Sequence, residues 1–192
     1  MKGIGFYADD TIRATDRLTI NAGVRYDYSK ALFESFPLLD RQGNPTGQTT
    51  PGNDNLFSWN SISPRVGLNY RLTADGKTVL KAHYGRYYRG IVTQEFDDVV
   101  PSVSPRYLFS GTYDAAGNPI GAELVSDNSN LRVDPGFKNP YTDQAIASFE
   151  RDLGKNLGLQ VSYVYKRGEN YGGWIDTGGV YDPASDAWTA TS

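Results

Sequence analysis

The side chains that most often carry chemistry are scarce in this 192-residue chain: it has no cysteine and one histidine. Thiol catalysis, disulfide frameworks, Cys-based zinc sites and multi-histidine metal centres are thereby excluded. His83, the lone histidine, has no second His or Cys to share a metal with. Two carboxylate pairs, Asp9–Asp10 and Asp97–Asp98, have the composition for general acid–base work. The first pair falls in a strand pattern, where adjacent side chains point to opposite faces and cannot act together. The second falls in a polar segment with no evident fixed partner. Gly85–Gly90, GRYYRG, interleaves Arg and Tyr as some RNA binders do. Nucleic acid demands clustered positive charge, and this chain carries 19 basic against 22 acidic residues. No glycine-rich phosphate loop and no serine or lysine motif is present. The expectation is a protein that is not an enzyme, holds no cofactor and binds no nucleic acid.

The elements that carry these residues read as strands. Of 25 aromatic residues 14 are Tyr, and Gly contributes 21 residues, a mixture that favours strands and turns. Residues 18–28 alternate without a break, with Leu18, Ile20, Ala22, Val24, Tyr26 and Tyr28 on one face. Thr19, Asn21, Gly23, Arg25 and Asp27 take the other. Eleven residues is long for a soluble strand and matches a tilted strand that crosses a bilayer. The alternation recurs over 65–72, 78–88 and 157–167, and more weakly over 5–13 and 142–153. Six strands are expected. No run of 18 apolar residues exists, so there is no transmembrane helix, and a negative mean hydropathy does not argue against a barrel whose strands average out.

The connections alternate in length. Tight turns are expected at 15–17, 74–76 and 154–156, and long polar segments at 31–60, at 91–140 and from 170 onward. Short turns on one side and long loops on the other are the pattern of an outer-membrane barrel, and soluble domains seldom carry structureless loops of this length. Tyr7, Tyr26, Tyr28, Tyr84, Tyr87, Tyr88, Tyr141, Tyr163 and Tyr165 gather toward the long-loop ends, as an interfacial girdle would. A short repeat sits in the long segments. Asp40-Arg41-Gln42-Gly43-Asn44-Pro45-Thr46-Gly47 matches Asp114-Ala115-Ala116-Gly117-Asn118-Pro119-Ile120-Gly121 at Asp, Gly, Asn, Pro and the final Gly. Gly and Asn supply the positive φ of a tight hairpin and Pro limits further pairing, so a hairpin is expected within each outer loop. A calcium loop would need alternating carboxylates, which the repeat lacks.

Arg25, Arg65, Asn69, Arg71, Lys81, His83, Gln160 and Lys166 all fall on the polar faces of these strands. They are the candidate functional residues: a polar, net-positive wall lining a barrel lumen.

Three stretches carry a family resemblance: Asp16–Tyr28, DRLTINAGVRYDY; Ser63–Tyr88, SPRVGLNYRLTADGKTVLKAHYGRYY; and Val133–Arg167, VDPGFKNPYTDQAIASFERDLGKNLGLQVSYVYKR. Together these 74 of 192 residues resemble the barrel of TonB-dependent outer-membrane receptors, closest to the Oar-like group. The resemblance implies a barrel of about 22 strands, filled by a plug domain and energised through the TonB complex. It implies import of a scarce metal chelate, glycan, peptide or vitamin across the outer membrane of a Gram-negative bacterium, with outer-membrane lipid around the barrel. It gives no ligand.

The chain departs from that family by omission. MKGIGFYADD carries no apolar signal core, and no plug, TonB box or terminal aromatic strand is evident. The expected organisation is a single partial barrel over 1–192, three hairpins of the larger whole, with the plug domain absent. Two alternatives share parts of the pattern: a passive porin or other outer-membrane barrel, and a soluble extracellular glycan-binding β-domain. The last requires a second layer over the apolar faces.

Overall fold

The structure is a computed structural model that describes all residues except 41, 42, 102, 105, 106, 128, 129, 176, 186, 191 and 192. Its strands are β1 (Lys2–Arg13), β2 (Leu18–Phe33), β3 (Phe36–Leu39), β4 (Pro45–Thr50), β5 (Asn53–Arg71) and β6 (Thr78–Tyr88). They continue with β7 (Tyr107–Tyr113), β8 (Pro119–Asp127), β9 (Tyr141–Gly154), β10 (Leu157–Glu169), β11 (Gly179–Asp182) and β12 (Ala187–Ala190). A 3-10 helix spans Thr93–Val99. Six strands form one antiparallel sheet in the order β1-β2-β5-β6-β9-β10, the expected up-and-down series of three hairpins.

The register sorts the side chains into two faces. One row runs Ile12, Ile20, Leu68, Ala82, Ala147, Tyr163 across all six strands. The next row runs Arg13, Thr19, Asn69, Lys81, Ser148, Ser162. A slip of one residue would exchange the two faces, so the hydrophobic pattern fixes the pairing. The apolar face is bare: Ile62 is 59% exposed, Val161 58% and Tyr163 69%. Among the described residues no helix or second sheet covers it. The soluble β-domain is therefore set aside, since it needed that second layer.

The strands outrun the sequence pattern. β2 reaches Phe33 rather than Tyr28, and β5 begins at Asn53 rather than Arg65, so the expected loop over 31–60 shrinks to the segment between them. Pro64 is the reason the sequence understated β5. A proline removes a ladder donor and usually marks an edge or an end. Here β5 pairs with β2 through Pro64 as far as Asn53, while its ladder to β6 stops at Arg65–Gly85. The missing N–H takes no bond from that second ladder.

The short turns are built by local chemistry. Thr73 Oγ1 donates to Asp75 Oδ1 at 2.6 Å, and Lys77 N donates to the same oxygen at 3.1 Å. The Thr73 hydroxyl and then the Lys77 amide hold the Asp75 carboxyl below the usual carboxylate range. The β9–β10 turn places Lys155 and Asn156 at φ 52° and 62°, the left-handed pair of a two-residue hairpin. The left-handed region costs a lysine roughly 1–2 kcal/mol, and glycine's extra chain entropy costs roughly 0.5–1 kcal/mol. Lys155→Gly is accordingly expected to raise barrel stability by up to about 1 kcal/mol, read from the urea midpoint of the folded protein. A lowered midpoint would show that the turn does not carry this strain.

The expected hairpins stand in both outer loops as β3–β4 and β7–β8. The repeat builds the same turn twice. Asn44 N donates to Asp40 Oδ1, and Asn118 N to Asp114 Oδ1, each at 2.8 Å. Gly43 N donates to Asp40 O and Gly117 N to Asp114 O, each at 3.0 Å. The carboxylates close the turns, and no group of three metal-binding side chains occurs among the described residues. Arg41 and Gln42 of the first copy lie outside the described residues.

Candidate functional site

The eight candidate residues share the polar face in five successive rows. Outermost, Arg25 pairs with Tyr7 on one side and Ser63 on the other. The next row runs Asp9, Gly23, Arg65, Gly85, Gln144, Lys166. Then come Thr11, Asn21, Gly67 and His83, followed by Asn69 beside Lys81. Innermost, Arg71 is opposite Val79, which leads through Glu150 to Gln160.

The wall is less positive than a count of its cations suggests. Arg25 makes a fork to Asp27, with Nε and Nη2 each 2.7 Å from a carboxylate oxygen. The pair lies flat across Gly5, where a Cβ would stand 2.5 Å from Asp27 Oδ1 and 2.7 Å from Arg25 Nη2. Lys81 Nζ donates to Glu150 Oε1 at 2.7 Å. Among the described residues, the cations of this wall without a carboxylate partner are Arg13, Arg65, Arg71 and Lys166. Asp27 and Glu150 belong to the site and were absent from the candidate set. Their strand parity was readable, but pairing along one strand or across two was not.

Two tyrosines move from the expected girdle to this wall. Tyr7 faces the polar side opposite Arg25. Tyr87 lies over Gly85, its hydroxyl 3.1 Å from His83 Nε2, with the Arg65 guanidinium 5.1 Å from its ring centroid. The other girdle tyrosines, Tyr26, Tyr28, Tyr84, Tyr88, Tyr141, Tyr163 and Tyr165, keep the apolar register. Parity alone separates the two groups, because 7 and 87 fall out of phase with their strands' apolar positions. Asp9 and Asp10 take opposite faces, as strand geometry requires. Asp97 and Asp98 lie in the 3-10 helix.

At the long-loop end the polar face is capped by an aromatic cluster. Phe57 and Trp59 from β5, Phe96 from the 3-10 helix and Ala31 from β2 are each at most 8% exposed. Phe137 joins them, with its ring centroid 5.3 Å from Trp59 and 5.6 Å from Phe57. Trp59 Nε1 donates to the Phe137 carbonyl at 3.1 Å. Asn139 and Ser61 meet at 2.7 Å; with the amide oxygen accepting from Ser61 Oγ, the amide nitrogen donates to Arg89 O at 3.0 Å and Pro140 O at 3.1 Å. Trp59 and Ser61 share the parity of Arg65, so the segment between β6 and β9 folds back over the polar side. From the sequence it is expected as a long polar loop carrying one hairpin, without packing against the sheet. Its apolar residues, Phe96, Val99, Val133 and Phe137, were the signal that it packs.

A sheet with one bare apolar face and one charged face matches a family model described as an outer membrane beta barrel domain, over residues 2–190. The chain belongs to that family. This barrel domain resides in the outer membrane of a Gram-negative bacterium. It is also similar to a protein of Escherichia coli K12 called uncharacterized protein YddB, 28% identical over 113 residues. The match takes in 59% of this chain and 12% of that protein's length. No solved structure matches the barrel domain.

Proposed function

We propose that this barrel domain is six neighbouring strands of a larger, plugged barrel that imports a scarce nutrient under the drive of the TonB complex. The observation that carries the larger barrel is the open sheet: among the described residues, β1 and β10 each pair on one side only. Unpaired strand edges are costly in hydrocarbon, and membrane barrels remove them by closing, from eight strands upward. The three stretches that resemble TonB-dependent receptors carry the transport reading. The polar wall faces the lumen, and the apolar face meets outer-membrane lipid. Arg65, Arg71 and Lys166 contact the protein's own plug domain and the passing ligand. A metal chelate, glycan, peptide or vitamin is captured by the outer loops and released inward when TonB moves the plug. No catalytic step is required.

A passive porin is the second reading. The segment pinned over the polar side favours it, since a fixed inward fold narrows a mouth without any plug. The two separate in planar lipid bilayers with the full-length protein. A plugged importer passes no steady current and is captured by the purified periplasmic domain of TonB. Steady open-channel steps with no TonB capture would overturn the importer.

A further inference from the structure

We propose that Arg86, Asp143 and Arg167 form a clasp for the phosphate of an outer-leaflet lipid headgroup. The proposal rests on the apolar face meeting lipid and is independent of what the barrel transports. The three residues are direct register partners on three adjacent strands, Arg86 opposite Asp143 and Asp143 opposite Arg167. Their row belongs to the apolar face. Tyr84, Ala145 and Tyr165 form the next same-face row toward the short turns, and Tyr88, Tyr141 and Glu169 the next toward the long loops. A plus–minus–plus triad thus sits between two tyrosine-bearing rows, at the level where an aromatic girdle meets headgroups.

Charge on a lipid-facing row is expensive at the midplane and nearly free at the interface, so the position is permitted; its construction points to a use. Arg86 donates from Nε to Asp143 Oδ1 at 2.8 Å and from Nη2 to Oδ2 at 2.7 Å. Tyr84 OH donates to Oδ1 at 3.0 Å. The guanidinium carbon lies 4.0 Å from the Tyr141 ring centroid. On the far side, Arg167 Nη2 is 2.6 Å from Glu169 Oε1, and Tyr141 OH donates to Glu169 Oε2 at 3.1 Å.

The carboxylates are occupied by arginine and tyrosine donors, so they hold the two guanidinium groups rather than seek cations. Each guanidinium has five N–H donors in a fixed fork, and these pairings use only some of them. Neighbouring strands are about 4.8 Å apart, which sets the arginine backbones roughly 10 Å apart across Asp143. Asp143 fills the space between them and takes the Nε–Nη2 edge of Arg86, so a phosphate binds above the carboxylate, on the guanidinium N–H groups that the two arginines have left. Arg167 is 66% exposed at its side chain, free to leave Glu169 for a stronger anion. The flanking tyrosine rings offer apolar surface to the rest of the lipid, which a free phosphate ion would not use.

The test uses the full-length barrel protein in detergent, with diphosphoryl lipid A, its dephosphorylated form and inorganic phosphate as probes, scored by native mass spectrometry. Folding of each variant is checked by heat-modifiable mobility. Diphosphoryl lipid A should bind, and the dephosphorylated form should bind much more weakly. Arg167→Gln should weaken binding by roughly tenfold or more, the scale of a lost charge-assisted hydrogen bond. Arg86→Gln should do the same where it folds. Arg13→Gln, on the polar face, should change nothing. Equal binding by wild type and Arg167→Gln would overturn the clasp, as would indifference to the lipid's phosphates. Inorganic phosphate binding as tightly as the lipid would overturn the headgroup assignment.

Discussion

Replacing Val161 with arginine is expected to destabilise the folded barrel by roughly 2–4 kcal/mol, while the same change one residue earlier, Gln160→Arg, costs far less. Val161 pairs with Phe149, which in turn pairs with Leu80, and it stands 58% exposed on the apolar face. A guanidinium there must be carried into hydrocarbon. Gln160 pairs with Glu150 on the polar face, where an added cation meets a carboxylate and water. Reversible folding of the full-length barrel into lipid vesicles, followed by intrinsic fluorescence in urea, reads both numbers. Equal costs at the two positions would mean that Val161 does not face lipid.

The second large effect is expected at the mouth, and it is local. Trp59→Ala removes an indole that is 5% exposed and in contact with Phe57 and Phe137. Truncating a buried aromatic costs roughly 3–5 kcal/mol. That loss raises the population of an undocked segment by about a hundredfold to several thousandfold. The strands below depend on ladders and on their membrane surroundings, so the barrel itself should stay folded. Protease added to intact cells should then cut between β6 and β9 far faster in Trp59→Ala than in wild type. Phe109→Ala, on the exposed β7–β8 hairpin, should cut at the wild-type rate, because Phe109 is 59% exposed. Unchanged proteolysis of Trp59→Ala would show that the cluster does not hold the segment.

These two expectations draw on different depths of the sequence. The contrast between Val161 and Gln160 is legible from alternation alone, since period two leaves one free choice for a whole strand and the apolar residues make it. The eight polar candidates followed from the same rule. The ion pairs were not legible, because Arg25 chooses Asp27 on its own strand while Lys81 chooses Glu150 on a neighbour. That choice depends on register and on open space such as the one over Gly5, and neither is a property of a single strand. The length of β5 was hidden by Pro64, whose usual meaning as a strand end holds for the β6 ladder and fails for the β2 ladder. The mouth cluster was hidden for another reason. Phe57 and Trp59 share the period-two register of β5, but Phe96 and Phe137 lie far along the chain in the segment between β6 and β9, where no periodicity points to them, so only the folded loop brings the four together. The Asp40 and Asp114 hairpins were fully legible, because their turns are made by residues within the repeat itself.

One face of this sheet is expected to meet lipid and the other to line a water-filled or plug-filled interior, alternating residue by residue. The chain contains no cysteine, so single cysteines can be placed along β10 from 159 to 166 in the full-length protein, provided that its remaining cysteines are removed. Reaction with a membrane-impermeant maleimide, and quenching of an attached fluorophore by brominated lipid, report the two environments at each position. Cysteines at 160, 162, 164 and 166 should react with the maleimide and escape quenching. Those at 159, 161, 163 and 165 should resist the maleimide; labelled instead in the unfolded state before refolding into vesicles, they should be quenched. A smooth profile without period two, or alternation in the opposite phase, would contradict the account.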